Sequence, residues 1–107
     1  MTKIKDCAER YLLSLGCSIS QAKDVVLRGV DLMGVSDKQQ VAVKFFSENE
    51  SLTVADIITR LNEFVVGAKS LHCTDLLIAV DSNRLLSLAQ MDEDDINPMN
   101  LEWMLTR

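Results

Sequence analysis

Residues 73–91 read CTDLLIAVDSNRLLSLAQM, and the fold class turns on how the run DLLIAV at 75–80 is read. A short apolar run of this kind fits either a buried helical segment or a strand, because periodicity alone does not separate the two. Thr74 offers a helix cap, whereas Asp81, Ser82 and Asn83 belong to residue types that favour caps and turns over helix interiors. The helical reading matches the spacing elsewhere in the chain and gives one helix over 71–91 with a break or kink near 81–83. A strand over 75–80 is the alternative.

Working outward from this run, apolar residues recur at helical spacing. Ile4, Cys7, Ala8, Tyr11, Leu12 and Leu15 form one stripe, and Gly16 can end that first helix, over 3–15, in the left-handed conformation. Ser18 with Gln21 fits a capping box, and Ile19, Ala22, Val26, Val30 and Met33 then share a face up to Gly34. Ser36 with Gln39 repeats the box ahead of Val41, Ala42, Phe45 and Phe46, which predicts a third, shorter helix. SENES at 47–51 interrupts the pattern.

The strongest start signal is LTVADI at 52–57. Thr53 can cap, Asp56 stands at the third helical position, and Leu52 and Ile57 occupy the positions of a hydrophobic staple. Val54, Ile57, Ile58, Leu61, Phe64, Val65 and Ala68 follow as a broad apolar face, which predicts a central helix. MDEDD at 91–95 reads as a solvated loop. INPMNLEWML then predicts a last helix, with Asn97 as cap, Pro98 at the first helical position and Ile96 stapled to Leu101.

With a single proline and four glycines in 107 residues, most connections must be short. Short connections favour antiparallel neighbouring helices. The expectation is a single domain over 1–107, all-α, a compact bundle of five or six short helices.

Charge narrows the partners. The formal net charge is -5, and it is carried by the last third: residues 71–107 hold two basic against seven acidic side chains. Such a segment repels phosphate backbones, so nucleic acid is not favoured there. No apolar run approaches the roughly 20 residues that span a bilayer, and the alternating charges of MTKIKDCAERY do not suit a signal peptide. Cys7, Cys17 and Cys73 contain no CxxC and suggest neither a disulfide framework nor a zinc ribbon. A cytoplasmic protein without membrane association is expected.

Chemistry-bearing patterns are sparse. His72 is the single histidine and adjoins Cys73, but neighbouring residues on a helix point about 100 degrees apart, a poor arrangement for a nucleophile and its base. A Cys3His zinc set drawn from Cys7, Cys17, His72 and Cys73 lacks the closely spaced ligand pair of such sites. The acidic run at 92–95 lacks the alternation and glycine of a calcium loop. Phosphate-cradling and nucleophile-elbow motifs are absent. No enzyme, metal or cofactor is expected.

Two binding readings follow. LMGVSDKQQVAV at 32–43 resembles the turn and second helix of a helix-turn-helix, which would expose Asp37, Lys38, Gln39, Gln40 and Lys44 to DNA bases and phosphates. Its spacing fits poorly, with Val30 and Gln40 at positions that normally hold a small and an apolar residue. The favoured reading is a small acidic regulator, inhibitor or adaptor that binds another protein through a helical surface. Its partner would be a protein, basic or nucleic-acid-binding, and a homodimer is a further expectation. Met91, Met99, Trp103 and Met104, beside Asp92, Glu93, Asp94, Asp95 and Glu102, are the candidate docking residues, since methionine adapts its shape and tryptophan buries a large area.

Overall fold

The computed structural model describes residues 2–20, 28–48, 51–90 and 101–105. The elements run α1 (Thr2–Ser14), β1 (Ser18–Ser20), β2 (Leu32–Val35), β3 (Gln40–Phe46), α2 (Val54–Ser70), β4 (Asp75–Val80), α3 (Asn83–Gln90) and β5 (Leu101–Leu105). The strands form one five-stranded sheet in the order β1-β2-β3-β4-β5. β1, β2 and β3 make an antiparallel meander, while β3, β4 and β5 are parallel.

The chain is therefore an α/β protein with three described helices, not the expected all-α bundle, and the correction begins at DLLIAV. β4 is an interior strand, bonded to β3 on one side and β5 on the other, and Leu76 through Val80 are all buried. A parallel strand covered on both faces needs apolar residues at consecutive positions, so it shows no alternation. That is why its sequence mimics a buried helix.

Each face of the sheet has its own core. Ile4, Ala8 and Leu12 of α1 pack on Leu32, Val41, Val43, Leu77 and Ala79. On the opposite face Ile57, Leu61, Phe64 and Ala68 of α2, with Leu85 of α3, cover Ala42, Phe46, Leu76, Ile78 and Val80. Val41 and Ala42 thus point to opposite layers, as adjacent strand residues must.

The other misread elements have equally specific causes. Ser36 does accept the Gln39 N–H, at 3.2 Å, as a capping residue would. The Ser36 N–H also donates to the Gln39 carbonyl, at 2.8 Å, and this closes the β2–β3 hairpin with Asp37 and Lys38 at its tip. The bond within a capping box also serves a turn. Gly34 is not a helix stop but a mid-strand residue beneath α1, where an added Cβ would meet Leu12 Cδ2 at 2.9 Å. Thr74 caps no helix; its hydroxyl accepts the Gln40 N–H at 3.0 Å and ties the starts of β3 and β4 together. The expected last helix is replaced over Leu101–Leu105 by β5, and its proposed start at Asn97 and Pro98 lies outside the described residues.

Two helices form as their sequences predict. α1 spans Thr2–Ser14, and Gly16 follows at φ +82. α2 begins with a complete capping box: the Thr53 hydroxyl accepts the Asp56 N–H at 3.1 Å, and the Asp56 carboxylate accepts the Thr53 N–H at 3.0 Å. Leu52 and Ile57 join the same core cluster, as a staple requires. These bonds to the charged form hold the Asp56 carboxyl below its ordinary range.

Candidate functional site

The candidate docking residues divide into two groups. Met91, Asp92, Glu93, Asp94, Asp95 and Met99 lie outside the described residues. Glu102, Trp103 and Met104 stand on β5, the last strand of the sheet, instead of on a helix.

Strand alternation separates these three. Trp103, in register with Ile78, packs against the core on the α2 face; Met104 packs against the α1 core. Glu102 is exposed, and its Oε2 accepts a hydrogen bond from the Tyr11 hydroxyl of α1 at 2.9 Å. Partial burial, and after it the Glu102 hydrogen bond and the charges of Glu102 and Asp75, raise the Tyr11 pKa above its ordinary value. Asp75 stands two residues before Leu77, the register partner of Glu102, and therefore on the same face. The Trp103 indole Nε1 is buried with no hydrogen-bond partner among the described residues.

What unites the three residues is the sheet edge. Among the described residues β5 is an edge strand, with no strand bonded to its outer side. The two edges of the sheet differ. β1 is three residues long and carries serine at both ends, a short polar edge of the kind that resists pairing. β5 runs five residues as LEWML, with no lysine, proline or glycine to blunt it, and Leu105 is exposed.

The five residues of the DNA-binding reading do not form a recognition helix. Asp37 and Lys38 are exposed in the hairpin turn, Gln39 closes it, and Gln40 opens β3. Lys44, within β3, points back to Asp31, with Nζ 3.4 Å from Oδ2. The same carboxylate oxygen accepts the Phe45 N–H at 2.8 Å, just where β2 has run out of backbone partners. Asp31 and Lys44 form a clamp between strands. No motif announces the pair, but reading SDKQ as a turn between VDLMGV and QVAVKFF would have made them cross-strand neighbours.

A cleft of about 360 Å³ opens at the carboxyl ends of β3 and β4, between Glu48, Leu52, Thr53, Ser82, Arg84 and Leu85. Open α/β sheets commonly bind ligands at this end. Several polar groups in and beside it serve the fold. Thr53 and Ser82 cap α2 and α3, and the Asp81 carboxylate accepts the Ser47 hydroxyl at 2.9 Å and the Glu48 N–H at 2.6 Å.

His72 sits beyond the end of α2, not near a helix start, at φ +60. Its N–H donates to the Lys69 carbonyl and that of Cys73 to the Ala68 carbonyl, each at 3.0 Å, the two bonds of a Schellman motif. Cys73 is buried, which pushes its thiol pKa up and makes it unreactive. Among the described residues no three His, Cys, Asp or Glu side chains gather to hold a metal ion, and no helix is long and apolar enough to cross a membrane.

Comparison with known protein families, with curated proteins and with solved structures finds no match for this chain.

Proposed function

We propose that this chain is a small non-enzymatic protein-binding regulator, inhibitor or adaptor, and that it acts by accepting an extended partner segment along the outer edge of β5. The observation that carries this reading is the contrast between the sheet's edges: a short polar β1 against a longer, mostly apolar β5 whose outer side has no strand partner among the described residues. An added strand gains main-chain hydrogen bonds from such an edge and places alternate side chains on either face. Glu102, Trp103 and Met104 keep the docking role expected of them, as strand residues in place of helical ones. A cytoplasmic setting is part of the proposal, supported by three free cysteines.

Trp103 is the chain's single tryptophan and lies on the proposed docking strand, so its emission reports on the edge directly. A ten-residue peptide alternating threonine with valine is expected to shift that emission saturably. The same peptide methylated on every backbone nitrogen, which leaves neither edge able to donate, is expected to have no effect. Equal responses to both peptides would overturn strand addition.

A further inference from the structure

We infer that the segment taken up by β5 comes from a basic partner and places a lysine or arginine side chain against Glu102, on the α1 side of the sheet. The inference rests on the strand-addition reading and adds the chemistry of the occupant. Glu102 is the one charged residue of β5 and is exposed. Asp75, on the same face of the adjacent strand, lies near enough to act on the same Tyr11 hydroxyl. A strand laid beside β5 must set every second side chain on this face, and the position opposite Glu102 meets a carboxylate there.

Charge also decides between a foreign partner and a second copy of the chain. Residues 71–107 carry seven acidic and two basic side chains, and the whole chain has a net charge of -5. Pairing with a second copy would bring together two chains of net charge -5, which like-charge repulsion opposes. A lysine- or arginine-bearing segment is instead attracted before contact and held after it. The apolar residues Trp103 and Leu105 leave the opposite face of the incoming strand to apolar side chains.

The test uses the full chain and three decapeptides, alternating valine with lysine, with threonine or with glutamate, titrated against Trp103 emission. At low salt the lysine peptide is expected to bind at least tenfold more tightly than the glutamate peptide, with threonine between them. Raising the salt to 0.5 M should erase most of that difference. Glu102→Gln, whose amide oxygen still accepts from Tyr11, should weaken the lysine peptide three- to fivefold and narrow its margin over the glutamate peptide.

Equal affinities for all three peptides would overturn the basic-partner inference while leaving strand addition intact. Tight binding of a lysine peptide that methylation of every backbone nitrogen leaves undiminished would overturn strand addition, and with it the placement of the lysine opposite Glu102. A stable dimer in sedimentation equilibrium that binds none of the peptides would give the edge to a second copy and overturn the inference.

Discussion

The Tyr11 hydroxyl donates to Glu102 Oε2 at 2.9 Å, joining the first helix to the last strand across most of the chain's length. It tethers the edge strand on the side opposite α2. Tyr11→Phe removes the bond without changing the ring. Because the contact is exposed, the expected loss is about 0.5–1 kcal/mol of unfolding free energy, read by urea denaturation.

The same contact has a pH signature. The Tyr11 pKa is raised above 10.0 in the folded chain, so its contribution to stability is complete below that value. It is lost as the pH climbs through the higher folded value. Stability measured from pH 9 to 11.5 should fall more in the parent than in Tyr11→Phe.

The clamp between Asp31 and Lys44 is mostly buried on the lysine side, with relative exposures of 33% for Asp31 and 15% for Lys44. Asp31→Ala removes the acceptor of the Phe45 N–H and strands the ammonium, and should cost about 2 kcal/mol. Asp31→Asn keeps an acceptor and should cost about half as much. Adding Lys44→Met to Asp31→Asn should recover stability, because replacing both partners of a buried pair is close to neutral. Chemical denaturation of the three variants checks the order, and a double variant less stable than Asp31→Asn would contradict it.

His72 holds a left-handed conformation without being glycine, at a steric cost of roughly 1–2 kcal/mol. His72→Gly should raise stability by about 0.5–1 kcal/mol, since part of the gain is returned as unfolded-state entropy. A thermal melt shifted to lower temperature would show that the His72 side chain has a structural role.

Gly67 makes the opposite case. A Cβ there would overlap the Arg28 carbonyl oxygen, which is backbone and cannot rotate aside. In an ordinary helix interior Gly→Ala is stabilising by about 1 kcal/mol. Here Gly67→Ala should instead cost about 2–3 kcal/mol through overpacking. Calorimetry of the two proteins decides the sign.

The accuracy of a sequence reading here depends on how far away each residue's partners lie. Thr53, Asp56, Leu52 and Ile57 satisfy one another within a single turn, so α2 was legible from its first residues. Ser36 and Gln39 are also local, but the bond they make is common to turns and caps, and only the partner strand tells which is present. Val41, Ala42, Phe45 and Phe46 mimic a helical stripe because two layers of core cover β3, one on each side. In β4 that double coverage removes all alternation. The site was legible as residues but not as geometry: Glu102, Trp103 and Met104 were singled out for their chemistry, while Tyr11 and Asp75 reach them only through the fold.

The central claim is that the outer edge of β5 is an open strand that takes up another, and amide hydrogen exchange over 101–105 tests it most directly. In the free protein alternate amides of β5, those facing away from β4, should exchange at rates near those of an unstructured chain while the intervening ones are protected. A saturating lysine–valine decapeptide should slow the outward set by at least tenfold. Protection of every β5 amide before peptide is added, or none gained after it, would contradict the account.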